Sequence, residues 1–360
     1  MSDPHLMLAI AEGFGERPVA ALLAPDLDPE RCLAAPPAPP EVPPRVAARL
    51  RRPDLADEAR RLRSAAESRG IAVLTPRDAV WPVRLATAPL RPLVLFARGS
   101  VDALSAAPAV AVVGSRTPTP YGVDATTHFA AALVRAGVVL WSGLARGVDA
   151  LAHEASVDAG TPTVAVLAGG LDTIYPPEHE ALARRIERNG CLVSELPPGR
   201  RARRGHFPRR NRLIALGARA VFVVEASLSS GALHTARFAA EYGADVHALP
   251  GPWNSERSQG CHRLIAEGAL PAEDPETLVR GLGIDADHSG PTALRMVNSA
   301  DEEGLLRALT AGPRPQDLLQ RETGLDRAAF LRALFALETR GAIHRLPGDL
   351  FRRAPPFTSR

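Results

Sequence analysis

Short apolar runs that break off at small residues set the rhythm of the middle of this chain. Ala109-Val110-Ala111-Val112-Val113 stops at Gly114-Ser115-Arg116, and Val138-Val139-Leu140-Trp141 stops at Ser142-Gly143. Thr163-Val164-Ala165-Val166-Leu167 leads into Ala168-Gly169-Gly170, and Ala220-Val221-Phe222-Val223-Val224 precedes Ser229-Ser230-Gly231. Runs of this kind predict strands buried on both faces. Between them, the stretches from about Tyr121 to Arg135, from about Val148, and from about Ala232 to Tyr242 are alanine-rich and helical in pattern. Val246 to Leu249 closes the series at Pro250-Gly251. Strand, small-residue turn and helix in repetition predict a doubly wound, mostly parallel α/β sheet. Such sheets bind ligands beyond the carboxyl ends of their strands, where these turns fall.

The flanks follow other patterns. Residues 1–35 are weakly helical around Leu6 to Ile10, and the proline-rich stretch from Ala34 to Pro44 predicts a linker or an irregular loop. Arg45 to Arg69 is an amphipathic helical stretch ended by Gly70; Ile71–Leu74 and Leu90–Phe96 predict short strands, as does Leu192-Val193-Ser194. Near the other end, Asp301 to Leu309 and Gln316 to Glu322 are helical. A turn at Thr323-Gly324-Leu325 follows, and Asp326 caps a longer helix to about Arg340. Gly341 to Phe351, around Pro347-Gly348-Asp349, has the pattern of a two-stranded wing, so the tail predicts a winged helix-turn-helix. The expected organisation is a helical N-terminal domain over 1–70, an α/β domain over 71–285, a linker over 286–297 and a winged-helix domain over 298–360.

Charge then points to a ligand class. All 43 basic residues are arginine, against 40 acidic ones, so a polyanion site must come from clustering rather than from net charge. Arg200 to Arg212 supplies the cluster, with seven arginines in thirteen residues. Most charge runs are solvated faces, but this one lies inside the α/β region and encloses His206 and Phe207, side chains able to stack on bases. The Ser115, Ser142 and Ser230 turns each open toward a helix N-terminus, where free N–H groups favour anions. With Arg116, Arg146, Arg209 and Arg212 they predict a phosphate-binding surface. Arginine suits that task through planar, bidentate contacts.

Other classes fit less well. Cys32, Cys191 and Cys261 have neither disulfide-framework nor zinc spacing. The chain lacks a signal-peptide pattern and any apolar run of membrane-spanning length, so the expectation is a cytoplasmic protein. His153-Glu154 starts like a zinc-protease motif, but Val157 stands where the second histidine would be, and there is no Gly-x-Ser-x-Gly elbow. Asp149, His153, Asp172 and Glu195 read as structural hydrogen-bonding groups. No catalytic, metal or cofactor residue is expected.

Five ordered segments carry a resemblance. These are Val113-Gly114-Ser115-Arg116, Ser142 to Asp149, Gly169 to Asp172 with Tyr175-Pro176, Phe207-Pro208-Arg209-Arg210-Asn211-Arg212, and Pro250-Gly251. Together they resemble the DNA-processing protein A family (DprA/Smf). The resemblance implies an extended Rossmann fold that binds single-stranded DNA, forms a homodimer, protects incoming DNA and helps load the recombinase RecA during natural transformation. It also implies a DNA pocket with Arg116 from the Gly-Ser-Arg turn and Arg210 and Arg212 from the Phe-Pro-x-Arg-Asn-Arg loop, Arg209 lying beside them. The candidate site is thus Gly114, Ser115, Arg116, Ser142, Gly143, Arg146, Phe207, Arg209, Arg210, Asn211, Arg212, Ser230 and Gly231. Two positions depart from the family pattern: Ser229 replaces a phosphate-binding lysine, and His262 replaces an asparagine before Leu264-Ile265. Two rival readings remain. One is a nucleoside-monophosphate phosphoribohydrolase, for which Phe238 falls where the catalytic glutamate belongs. The other is a transcriptional regulator acting through the winged helix.

Overall fold

The computed structural model describes residues 3–14, 22, 27–37, 39–88, 90–284, 300–309, 314–339, 343–346 and 350–353. It divides into two compact units, Met1–His288 and Ser289–Arg360.

The first unit is built on a nine-stranded sheet. In chain order its strands are β1 (Ala72–Leu74), β2 (Leu95–Gly99), β3 (Ala109–Val113), β4 (Val139–Ser142), β5 (Thr163–Val166), β6 (Cys191–Ser194), β7 (Ala220–Val223), β8 (Asp245–Ala248) and β9 (Leu270–Pro271). In space they run β1-β2-β6-β5-β4-β3-β7-β8-β9. All pairs from β6 to β9 are parallel, while β1 and β2 are antiparallel additions at one edge. β2 starts later than the apolar run from Leu90 suggests; Pro92 has no N–H for a ladder.

The helices are α1 (Pro4–Glu12), α2 (Pro29–Ala34), α3 (Pro44–Leu50), α4 (Leu55–Glu67), α5 (Val83–Thr87), α6 (Pro120–Arg135), α7 (Val148–Asp158), α8 (Glu180–Asn189), α9 (His206–Gly217), α10 (Ala232–Glu241), α11 (Gln259–Ala266) and α12 (Pro275–Gly281). Successive strand residues face opposite sides of a sheet, and both sides are covered here. Ala111 and Val113 of β3 pack with Leu213 and Ile214 of α9 and Leu233 and Ala236 of α10. Val110 and Val112 pack on the other side with Phe129 and Leu133 of α6 and Ala152 of α7. That two-sided burial explains why these strands are apolar throughout, each large side chain contributing about 1.5–3 kcal/mol.

The N-terminal helices belong to the same unit. Leu6, Val46 and Leu55 share a core with Phe96, Ala165 and Leu192 of the sheet, so packing continues through the boundary expected near residue 70. The helical stretch from Arg45 to Arg69 is two helices, α3 and α4, parted at Arg52-Pro53, where proline removes a donor.

From β3 the chain winds outward through β4, β5 and β6, then returns to place β7 on the opposite side of β3. The carboxyl ends of β3 and β7 therefore flank the switch point, where open α/β sheets form their binding crevice.

The second unit contains α13 (Ala300–Ala308), β10 (Arg314–Pro315), α14 (Gln316–Thr323), α15 (Arg327–Thr339), β11 (Ile343–Leu346) and β12 (Leu350–Arg353), with an antiparallel sheet ordered β10-β12-β11. Leu305, Leu319, Phe330, Leu337, Ile343 and Phe351 form its core. Gly324, at φ 65°, closes α14 in the left-handed conformation, and the Asp326 carboxylate accepts the N–H groups of Ala328 and Ala329 at 2.9 Å, capping α15. The expected linker over 286–297, Arg340 to Ala342 and the Pro347-Gly348-Asp349 turn lie outside the described residues.

Candidate nucleic-acid interface

A cleft of about 570 Å³ opens at the switch point. The turn after β3 supplies Gly114 to Thr117, α9 supplies Phe207, Arg210, Asn211 and Ile214, and the start of α10 supplies Ser230 to Ala232. Arg116, Arg204, Arg210 and Arg257 all line it, whereas Asp149 is the one carboxylate among its lining residues. The field inside is therefore positive.

The segment around Phe207 differs from expectation in a decisive way. It is the first turns of a helix, α9, rather than a loop, with Pro208 in the first turn where its missing N–H is harmless. Helical spacing puts Phe207, Arg210, Asn211 and Ile214 on the face that meets the cleft. Arg212 is two residues from Arg210 and so about 200° around the helix. It is 3% exposed, and its Nη2 donates to both oxygens of Glu195 at 2.6 and 2.7 Å. Arg209 pairs with the same carboxylate at 2.7 Å. Neither Arg209 nor Arg212 lines the cleft. The expectation that both line the pocket is not met: the two guanidinium groups share the Glu195 carboxylate behind the helix, away from the cleft.

Arg210 goes the other way. At 7% exposed, it donates through Nη1 to the Gly143 carbonyl at 2.7 Å and to the Val166 carbonyl, tying α9 to the ends of β4 and β5. Burial pulls its guanidinium down to about 10, with Asp149 opposing and Arg116 adding to the shift, so it stays cationic at neutral pH. Burial likewise pushes the Asp149 carboxyl up, against the favourable charge of Arg210 and two backbone donors. Those donors are Gly143 N–H at 3.0 Å and Ala145 N–H at 3.3 Å. The Ser142-Gly143 turn, expected to offer its N–H groups to an anion, has instead spent them on this internal carboxylate. Ser142 itself is fully buried and donates to the Val112 carbonyl at 2.6 Å. Gly143 is required by close approach, since a Cβ there would run into the Arg210 guanidinium and Asp149 Oδ2.

The exposed rim is better suited to a ligand. Arg116 lies over the Phe207 ring at 5.6 Å from its centroid, and Tyr175 meets that ring edge-on at 5.7 Å. Ser115 Oγ accepts from Thr117 N–H at 3.2 Å and from Arg257 at 2.9 Å. Asn211 donates to the Gly231 carbonyl at 3.1 Å and accepts from Arg210 Nε at 3.3 Å, binding α9 to the Ser230-Gly231 turn. Ser230 Oγ accepts from the Ala232 N–H at 3.2 Å. Arg146 sits at an adjoining hollow, exposed and paired with Glu178. Among the described residues, Arg116, Arg204 and Arg257 have no carboxylate partner.

Sequence reasoning omitted Arg204, Tyr175 and Arg257 from the site. Arg204 belongs to the arginine run and Tyr175 to a quoted motif, so both carried a signal. Arg257 carried none: its partner Ser115 is 142 residues away. Arg237, on α10 near Ser229, is exposed and does not line the cleft, so it does not stand in for the family's lysine there. His262, at the family's asparagine position, keeps a hydrogen bond from Nε2 to the Gly251 carbonyl at 3.0 Å. The groups read as structural are engaged internally: Asp172 accepts the Gly199 N–H at 2.9 Å, and His153 bonds Thr163 at 2.8 Å.

A doubly wound sheet with a basic cleft at its switch point, joined to a small winged-helix unit, defines a Rossmann-like protein of the nucleic-acid-processing class. The chain belongs to the DNA processing protein A family (DprA/Smf). Residues 72–283 match DNA recombination-mediator protein A, and residues 289–349 match the DprA winged helix domain. It is 40% identical over 290 residues to the DprA of Mycobacterium tuberculosis, covering 76% of this chain and 75% of that one. Its structure is similar to DNA processing protein A from Streptococcus pneumoniae, with a TM-score of 0.58 and 35% identity over 65% of this chain and 84% of the other. It is also similar to the Helicobacter pylori protein, whose single-stranded DNA binding mode has been described structurally, with a TM-score of 0.53 and 29% identity over 59% and 95% of the two chains. No helix among the described residues is long and apolar enough to cross a membrane.

Proposed function

We propose that this protein binds single-stranded DNA in the cleft at the ends of β3 and β7, protects it, and passes it to the RecA recombinase during recombination and natural transformation. The observation that carries this reading is Arg116: exposed, free of a carboxylate partner and laid over Phe207 at the mouth of an arginine-lined cleft. A guanidinium on an aromatic ring offers a phosphate contact and a stacking surface together, which suits a strand whose bases are unpaired. Arg210 adds buried positive charge at the floor. Binding of this kind reads backbone charge and base faces, so it carries little sequence preference. The Helicobacter pylori relative supports the choice of ligand, and family membership supports the recombination role and a homodimeric, cytoplasmic protein.

The proposal is a binding role and not a catalytic one. In the phosphoribohydrolase reading, the residue that should be a glutamate is Phe238, which stacks on Tyr242 with ring centroids 6.3 Å apart and does not line the cleft. General acid–base chemistry thus lacks its carboxylate there.

The test is fluorescence anisotropy with labelled poly-dT over a salt series. Wild type should bind with a steep negative slope of log affinity against log salt. Arg116→Ala should weaken binding by roughly tenfold and flatten the slope by about one. Absence of binding, or base release from nucleoside monophosphates, would overturn the reading.

A further inference from the structure

We propose that the loop from Gly251 to Ser258 is a second nucleotide subsite, with Arg257 holding a backbone phosphate and Trp253 stacking the attached or neighbouring base. This rests on the cleft's reading as a single-strand site and extends the DNA path beyond it.

The loop is held in place from three directions. Tyr121 donates its hydroxyl to the Pro250 carbonyl at 2.7 Å, His262 bonds the Gly251 carbonyl at 3.0 Å, and the Ala226 N–H donates to the Arg257 carbonyl at 2.7 Å. Turn bonds from Ser255 N–H to Pro252 and from Ser258 N–H to Ser255 shape what lies between. Within this braced loop Trp253 is 86% exposed, the most exposed large apolar side chain among the described residues. Tryptophan is highly buried on average, so a braced backbone that leaves its indole in water presents a surface for a partner.

Arg257 says which partner. Its Nη1 donates to Ser115 Oγ at 2.9 Å and Thr117 Oγ1 at 2.8 Å, which fixes the guanidinium on the cleft wall beside Arg116's turn. Both partners are neutral hydroxyls, so its charge is positioned without being neutralised. Four residues span at most about 14 Å between Cα atoms, and the turns shorten that reach. A strand whose phosphate meets Arg257 therefore has a base within range of Trp253. Arg257 Nη1 has both of its protons on Ser115 and Thr117, so the phosphate contact falls to the Nη2 and Nε side of the guanidinium at the cleft wall. The subsite also supplies a cation to the cleft in a chain where Ser229 replaces the family's lysine.

Intrinsic fluorescence reads this directly in the full-length protein. Of the three tryptophans, Trp81 and Trp141 are buried, so the solvent-exposed emission belongs to Trp253. Poly-dT should quench that emission in step with anisotropy. Trp253→Ala should raise Kd by roughly tenfold, the effect of one lost stacked base, while Trp253→Phe retains most of the affinity. Arg257→Gln should flatten the salt slope by about one. If wild type binds and depends on Arg116, but the emission is unquenched or either Trp253→Ala or Arg257→Gln leaves binding unchanged, the subsite is wrong and the cleft stands. If wild type does not bind at all, the cleft reading fails and the subsite with it.

Discussion

Arg116 and Arg212 are the same residue type, both drawn from motifs expected to line the DNA pocket, yet their surroundings give them opposite roles. Arg116 meets only an aromatic ring, so its charge is available to a ligand. Arg212 is buried against Glu195, and its charge is already used. A buried histidine shows the same dependence on surroundings. The Thr163 hydroxyl donates to the Leu140 carbonyl at 2.6 Å, so it accepts from His153 Nδ1–H, which fixes Nδ1 as a protonated nitrogen of the ring. Burial, with His179 and Arg210 adding, pulls it down from 6.5 to about 3. The unfolded chain takes up a proton near pH 6.5 while the folded chain resists until about 3. Stability is therefore fully present above pH 6.5 and falls as pH drops toward 3, by up to about 1.4 kcal/mol per pH unit from this residue. His5 and His247 are lowered by burial too and act in the same direction. Urea unfolding between pH 7 and 4 should show this loss, and His153→Gln should reduce its slope.

At the scale of elements, α9 decides the site. The arginine run hides this helix in the sequence, because a dense charge run signals solvated backbone as readily as a helix face. Once helical, the segment sorts its arginines by angle: Arg210 to the cleft, Arg209 and Arg212 to Glu195. Arg212→Ala should therefore act on folding rather than on DNA. Removing one member of a buried ion pair costs about 3–5 kcal/mol, somewhat less here because Arg209 remains beside Glu195. Thermal unfolding should register that loss, while poly-dT affinity measured well below the transition stays within a few-fold of wild type. Arg116→Ala should show the reverse pattern. A large affinity loss in Arg212→Ala at unchanged stability would return Arg212 to the pocket.

For the whole molecule, the division into two units makes a separable prediction. All residues of the proposed cleft and of the loop beside it lie in Met1–His288. A chain ending at His288 should fold cooperatively, bind poly-dT with affinity close to that of the full chain, and keep its sensitivity to Arg116→Ala. Circular dichroism and the same anisotropy series would check this; loss of binding in a folded truncation would assign part of the site to the second unit. In that unit α15 leaves Leu331 and Phe335 exposed one turn apart, an apolar patch on its outer face.

The sequence by itself determined the strands, the turns that end them, the doubly wound class and the winged-helix tail. Apolar runs, glycine–serine stops and helical spacing are local signals, and two-sided burial makes them strong. It also placed Arg116, Phe207 and the Ser230-Gly231 turn at one site. Only the tertiary structure decided which arginines keep a free charge, that Asp149 fills the Ser142-Gly143 turn, and that Arg257 reaches Ser115 across 142 residues. Those outcomes depend on sheet order and helix rotation. The crossover that sets β7 beside β3 brings distant carboxylates, hydroxyls and guanidinium groups together, and no spacing along the chain encodes their distances.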